Sequence, residues 1–221
     1  KFFKYFNIIY KKYSRRELRI KLQKLDKKEK DKFYKESLLI SGGGGSWCNN
    51  YGSSYKFVKY CTNFFNRIIV MPHTYELPKL DSKISNITYF ARDKFISKDT
   101  IPESIFCHDM AFFAKAPFSL KRSLFEKGNF FRTDKEKNDL QKIPHNNFDI
   151  SLKGKDYSDT FLFFKTINEY NLVNTDRLHV AIAASLLNKK TNLYPGNYKK
   201  IESVYYSSIE KYFKLTSLRE W

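Results

Sequence analysis

The sequence predicts an α/β protein with mostly parallel sheets, and three observations predict it. Short apolar runs centred on Leu38, Ile68, Ile87, Ile105 and Leu172 alternate with stretches of helical spacing, the pattern in which crossover helices join parallel strands. The runs are apolar throughout, as strands covered on both faces are. Each finishes on polar or charged residues, which places chemistry at the strand C-termini, the functional edge of an open parallel sheet.

Taken in order, residues 1–36 carry fourteen Lys or Arg against five acids, half of the net charge of +18. Phe2, Phe3, Tyr5, Phe6, Ile8, Ile9, Tyr10 and Tyr13, then Leu18, Ile20, Leu22 and Leu25, are interleaved with those charges, so the segment reads as basic, amphipathic and helical, peripheral to any site. An anionic membrane, a nucleic acid and an acidic polymer are its electrostatic partners, and a solvated helix in a lysine-rich chain has the same composition. No zinc pair or RNP-like aromatic strand supports nucleic acid.

Ser37 to Ser41 reads as a buried strand running into Gly42-Gly43-Gly44-Gly45-Ser46-Trp47, and Tyr55 to Phe65 has helical spacing. Strand, glycine loop and helix together place backbone amides where they can cradle an anion or sugar, while a plain surface turn fits the same residues. The run is neither Gly-x-Gly-x-x-Gly nor a P-loop, so it does not specify a nucleotide. Further strands are expected at Arg67 to Pro72, ending in His73; at Ile87 to Ala91, ending in Arg92-Asp93; and at Ser104 to Cys107, ending in His108-Asp109. Asn129-Phe130-Phe131 leads into Arg132-Thr133-Asp134-Lys135-Glu136, and the irregular stretch 135–159 is read as the crossover between two halves, 37–134 and 135–221. The second half continues with a helix from Phe161 to Tyr170, a strand at Leu172-Val173, a helix over 180–187, a strand near Thr191 to Tyr194, and a last helix from Lys199 to Phe213.

The richest stretch is Asn174-Thr175-Asp176-Arg177-Leu178-His179, at a strand-to-helix junction. Unpaired first-turn amides, a planar guanidinium and an imidazole whose proton moves near neutrality can together hold and protonate an anionic ligand. A structural reading of the same residues makes Thr175 or Asp176 an N-cap, gives Arg177 a carboxylate partner and makes His179 a hydrogen-bonded junction residue.

With 221 residues, 42% hydrophobic and 18% aromatic, the chain can bury a substantial core and is not of disordered composition. No apolar run approaches the roughly 20 residues of a membrane span and no signal-peptide pattern opens the chain, so a cytoplasmic location is expected. Cys48, Cys61 and Cys107 lack Cys-x-x-Cys spacing, which points to reduced thiols in or near the core and to no structural metal.

Six elements, Ser41 to Trp47, Ala91-Arg92-Asp93, Asp109-Met110-Ala111-Phe112, Phe131 to Glu136, Thr175 to His179 and Asn197-Tyr198-Lys199-Lys200, occur in the order seen in the polysaccharide pyruvyl transferases, which the chain resembles over roughly residues 37–210. The resemblance implies a glycosyltransferase-B-like fold of two Rossmann-like halves. It also implies transfer of the pyruvyl unit of phosphoenolpyruvate onto two hydroxyls of a sugar or lipid-linked oligosaccharide, as a cyclic ketal, with no cofactor or metal beyond the donor substrate. The opening strand and Gly-Asn-x-Gly-Asp-type loop usual in the family are not found before Lys35, so the first βα unit is expected to be missing.

Phosphoenolpyruvate carries a carboxylate and a phosphate, for which Arg177, Arg132 and the adjacent helix N-terminus are suited. His179 is the first candidate to protonate the methylene carbon, with His73 and His108 behind it. Asp93, Asp109 or Asp176 can orient the acceptor, and Gly43, Gly44, Gly45 and Arg92 complete the expected donor and acceptor contacts. A glycosyltransferase of the same fold using a nucleotide-sugar donor, an inactive truncated homologue, and a binding module for an anionic surface remain as alternatives.

Overall fold

The computed structural model describes residues 10–81, 86–115, 123–154, 159–197 and 199–221. The expected helical character of residues 1–9 lies outside the described residues. Two helices follow, α1 (Arg15–Gln23) and α2 (Lys27–Glu36), each opened by a capping box, Ser14 with Glu17 and Asp26 with Glu29. α1 is more than a peripheral charge carrier: Leu18 and Leu22 are buried in the core of the first sheet, and Arg15 donates to the hydroxyls of Ser53 and Ser54 at 3.0 and 2.7 Å. α2 buries no residue and leaves its lysines in solvent.

Among the described residues nine strands form two sheets, and every pairing between them is parallel. The first holds β1 (Leu38–Ser41), β2 (Gly44–Trp47), β3 (Arg67–Tyr75), β4 (Asn86–Ala91) and β5 (Ile105–Phe106), with β3 central. The second has the order β6 (Phe125–Phe130), β7 (Tyr170–Thr175), β8 (Lys190–Leu193), β9 (Thr216–Leu218). β6 lies inside the residues expected to form the first half, yet it pairs with β7, so the chain changes sheet between Phe106 and Phe125 rather than at residue 134. Side-chain amides reinforce this sheet: Asn174 donates to Asn129 at 2.9 Å and Asn192 donates to Asn174 at 2.8 Å, a ladder across three strands that a one-residue slip would break.

Half of the tetraglycine is strand rather than open loop, since Gly44 and Gly45 open β2. β1 and β2 run along the same edge of β3, whose register shifts at Pro72, a proline that the bulge accommodates. Gly42 and Gly43 carry the chain past that bulge. A Cβ on Gly43 would sit 2.4 Å from the Pro72 carbonyl oxygen, whereas one on Gly42 would meet nothing within 4 Å. Gly43→Ala is therefore expected to cost about 1–3 kcal/mol, as overpacking against fixed backbone does, and Gly42→Ala almost nothing. Urea unfolding of the two variants checks the contrast; equal midpoints would show that the bulge does not fix the glycine.

Trp47, fully buried at the end of β2, centres the first core. Its Nε1–H donates to the Leu77 carbonyl at 3.1 Å, and Tyr55, Tyr75 and Tyr89 meet its ring edge-on at 5.3, 5.4 and 5.8 Å. α3 (Ser53–Cys61) covers this sheet with Phe57, Val58 and Cys61, and the short α4 (Ile96–Thr100) follows β4. Cys48 and Cys61 are buried thiols and Cys107 is partly exposed.

In the second half α5 (Thr160–Asn168) precedes β7 and α6 (Leu178–Leu186) follows it. Beyond the exposed His179, α6 is mostly apolar because it is enclosed: Val180, Ala183 and Ala184 join one cluster with Phe130 and Ile167, while Leu178, Ala181 and Ile182 join another with Leu193 and Ile201. The last helical segment runs α7 (Lys200–Val204), a π-turn (Tyr205–Ile209) and α8 (Glu210–Tyr212), and returns to the first sheet, where Ser207 accepts from the Lys94 amide at 2.9 Å. No helix among the described residues is long and apolar enough to cross a membrane.

Candidate active site

A cavity of about 620 Å³ opens where the C-terminal ends of strands from both sheets meet. Gly45 and Arg92 come from the first sheet; Arg132, Asp176, Arg177, His179 and Lys200 come from the second. An apolar wall of Phe148, Ile150, Leu162 and Phe163 faces them.

His179 is the second residue of α6 and projects into the cavity with 57% of its side chain exposed. Its Nε2 lies 3.6 Å from Asp109 Oδ2, a Coulombic contact longer than a hydrogen bond. That same oxygen accepts from Arg92 Nη1 at 2.7 Å, and Arg92 Nε donates to Thr74 Oγ1 at 3.0 Å. Asp109 also caps a 3₁₀ turn (Met110–Phe113), accepting from the Ala111 amide through Oδ1. Burial alone would raise the Asp109 carboxyl, but the His179 ring and the Arg92 guanidinium outweigh it and hold it below the usual carboxylate range. It is therefore a fixed negative charge behind the imidazole, suited to stabilising the protonated ring.

The other histidines are placed elsewhere. His73 is wholly buried inside β3, not at its end: Nδ1 contacts the Met71 carbonyl at 2.7 Å, Nε2 contacts Ser54 Oγ at 3.0 Å, and burial pulls its pKa down to about 4. His108 pairs with Ser208 Oγ at 2.8 Å and packs against Phe106 and Tyr212. Neither lines the cavity.

Arg177 stands on the cavity wall, but its fork is taken. Nε and Nη2 donate to the two oxygens of Asp149, both at 2.7 Å, and Nη2 also reaches Asp134 Oδ2 at 3.1 Å. Asp149, in the irregular stretch, was not signalled by any local motif. Arg132 is paired as well, its Nε 3.0 Å from Asp134 Oδ1 and its Nη1 against Glu136. Glu136 also accepts from Lys200 Nζ at 3.1 Å. Burial pulls the Lys200 ammonium down to about 8 against the opposing pull of Glu136.

Several expected contacts fall outside the cavity. Gly43 faces Pro72 and Gly44 continues into β2, so of the glycines expected to cradle a ligand only Gly45 borders it; a Cβ there would lie 3.1 Å from Arg92 Nη2 and 3.3 Å from Lys200 Nζ. Asp93 is consumed by capping: Oδ1 accepts from the amides of Phe95 and Ser97 at 3.2 and 3.0 Å, and Oδ2 from Ser97 Oγ at 2.5 Å. Asp176 is not the helix cap; Arg177 occupies that position without a side-chain cap, and Thr175 Oγ1 takes its amide at 2.9 Å. Lys200 belongs to the Asn197-Tyr198-Lys199-Lys200 element, whose residue types alone specify no role, and the apolar wall carries no local signal in the sequence. Tyr198 lies outside the described residues. Among the described residues no group of three His, Cys, Asp or Glu could hold a metal ion.

Known proteins sharpen this picture. The chain is similar to a functionally uncharacterized protein of Klebsiella pneumoniae subsp. pneumoniae NTUH-K2044 whose crystal structure superposes with a TM-score of 0.73 at 29% identity, covering 99% of this chain and 84% of that one. No curated protein matches it. The family described as polysaccharide pyruvyl transferase matches residues 2–194, and on that span, which takes in His179 and the cavity residues up to it, the chain belongs to the polysaccharide pyruvyl transferase family.

Proposed function

We propose that the protein transfers the pyruvyl group of phosphoenolpyruvate to two hydroxyls of a sugar in a surface polysaccharide or other glycan, forming a cyclic ketal, and that the cavity is the active site. The observation that carries this reading is His179: an exposed imidazole on the cavity, backed by the ionised Asp109 and Arg92, inside the Arg177-Leu178-His179 element. We read the two parallel sheets as two Rossmann-like halves in a glycosyltransferase-B-like arrangement, with the change of sheet between Phe106 and Phe125 as their boundary.

Each step has a residue. Arg92 and Lys200, on either side of Gly45, receive the donor's anionic groups where the absence of a Cβ lets an oxygen approach. His179 protonates the methylene carbon, with Asp109 stabilising the imidazolium beforehand. The first sugar hydroxyl bonds to C2 and gives its proton to the imidazole; the C2–O bond to phosphate breaks with its electron pair going to the phosphate oxygen; the second hydroxyl bonds to C2, closing the ketal, and its proton ends on the departing phosphate. The apolar wall of Phe148, Ile150, Leu162 and Phe163 offers ring and aliphatic faces against which a sugar can lie. Incubation of the purified protein with phosphoenolpyruvate and a panel of polyol sugars, following inorganic phosphate, tests the reading. Acceptor-dependent phosphate release supports it, and nucleotide release from a nucleotide sugar instead would replace it with glycosyl transfer.

A glycan acceptor carried on a membrane lipid would bring α2 to an anionic surface. Lys27, Lys28, Lys30 and Lys35 are exposed there, and each lysine near such a surface is worth about 1 kcal/mol. Reversing these four to Glu should abolish co-sedimentation with phosphatidylserine vesicles while leaving α1, whose Leu18 and Leu22 serve the core, intact. Unchanged co-sedimentation would reduce α2 to a solvated face.

A further inference from the structure

Asp176 sits on the cavity wall in a state that none of the steps above uses. The residue is wholly buried; Oδ1 accepts the Arg132 amide at 2.8 Å, and Oδ2 is enclosed with no hydrogen-bond partner among the described residues. An ionised carboxylate with one bare, buried oxygen is costly, and such a group gives up its proton only at a higher pH than an exposed carboxyl does. Burial pushes Asp176 up to about 6, against the opposing pull of the Arg132 amide and of the Arg132 and Arg177 guanidiniums.

The charges around it favour the same state. Among the described residues four Arg or Lys cations line the cavity, Arg132 after β6, Arg177 at the same junction as Asp176, Lys200 at the start of α7 and Arg92 from the first sheet. Each is matched: Asp109 pairs with Arg92, Asp134 and Glu136 with Arg132, Asp149 and Asp134 with Arg177, and Glu136 with Lys200. Those four cations balance their four paired carboxylates, and Asp159, which lines the cavity and accepts from the Phe161 amide, adds one more negative charge, so an ionised Asp176 would deepen an already negative set before His179 is counted. An incoming phosphate and carboxylate would be repelled by an ionised Asp176 and would raise its proton affinity further.

Pyruvyl transfer, on which this inference rests, also needs a second proton carrier. Two sugar hydroxyls each lose a proton; one equivalent ends on the donor's methyl carbon through His179, and the other must end on the departing phosphate. We propose that Asp176 is a further catalytic residue: a turn of its carboxyl brings the enclosed Oδ2 into the cavity it borders, where as a neutral acid it donates to the donor's phosphate and protonates it as it leaves. The C2–O bond breaks with its electron pair going to the phosphate oxygen, the Asp176 O–H bond breaks as the new O–H bond forms, and the resulting carboxylate takes the proton of the second hydroxyl as that oxygen bonds to C2. Both carriers end the cycle as they began it, and no other reactant is required.

Calorimetry of phosphoenolpyruvate binding at pH 7, in buffers of different ionisation enthalpy, reads the proton directly. The wild type should take up about one proton per donor bound, and Asp176→Asn, which keeps a hydrogen-bond donor but cannot titrate, should lose that uptake while its turnover falls by about two orders of magnitude or more. Carboxyl NMR on the unliganded wild type is the second measurement and needs no variant to fold: one buried aspartate should titrate near neutrality. Absence of phosphoenolpyruvate binding in the wild type overturns the donor assignment and this inference with it. Binding without proton uptake, uptake undiminished in D176N, or no aspartate titrating above the ordinary range near 4 overturns the inference alone.

Discussion

His179→Ala lowers turnover by about two to four orders of magnitude, the usual contribution of a positioned acid, with donor affinity and melting temperature close to those of the wild type. The separation follows from where the side chain sits. More than half of it is exposed, and the packing of this turn of α6 is carried by Leu178 and Val180, so removing the ring opens no enclosed void. Asp109 keeps its hydrogen bond from Arg92 when the imidazole is gone, so no carboxylate is stranded. Donor titration, single-turnover phosphate release and thermal melts on the variant supply the three readings. A destabilised His179→Ala with unchanged turnover per folded molecule would return His179 to the status of a junction residue. His73→Ala is the natural control and should do the reverse, because His73 is wholly buried and bridges the Met71 carbonyl and Ser54.

What was legible in the sequence divides along the range of the interactions. The strands at Leu38, Ile68, Ile87, Ile105 and Leu172 and the helix after Arg177 were legible because each is written as an apolar run in consecutive residues, and the observed strands are all parallel, although Leu38, Ile40 and Ile105 are exposed, so in β1 and β5 the run does not record burial on both faces. β9 was missed since Thr216-Ser217-Leu218 carries no such run; its edge position beside β8 is set by pairing. The glycine run was readable as a close approach of backbone, but not as to what approaches: Gly43 meets the Pro72 bulge, and Gly45 alone meets the cavity. Arg177 shows the same limit from the other side. Its chemistry was evident from type and place, whereas its partner Asp149 stands 28 residues earlier in a stretch without periodicity, and only the fold joins them.

Arg177→Ala should therefore fail in the opposite manner to His179→Ala, losing about 3–5 kcal/mol of stability at neutral pH, the cost of leaving a buried carboxylate without its partner. Asp149 is 3% and Arg177 12% exposed at the side chain, and the pair is bidentate, so solvent cannot replace the guanidinium. For a chain of this length the loss corresponds to a fall in melting temperature of roughly 10 °C. Burial alone would raise the Asp149 carboxyl; the Arg177 fork, the Thr133 amide and the Ser151 hydroxyl reverse that and hold it well below the ordinary range. A depressed folded-state pKa contributes stability that is present above about pH 4, the unfolded value, and lost as the pH falls through the folded one. Without Arg177 the burial cost prevails and Asp149 protonates earlier, so the gap between variant and wild type should be widest near pH 7 and narrow on acidification. Arg177→Lys retains the charge without the fork and should fall between the two. Melts from pH 7 down to pH 3 decide the matter. A lysine variant with unaltered melting temperature at every pH but weakened phosphoenolpyruvate binding would show that the guanidinium is held for the donor and that its pairing with Asp149 contributes little to the fold.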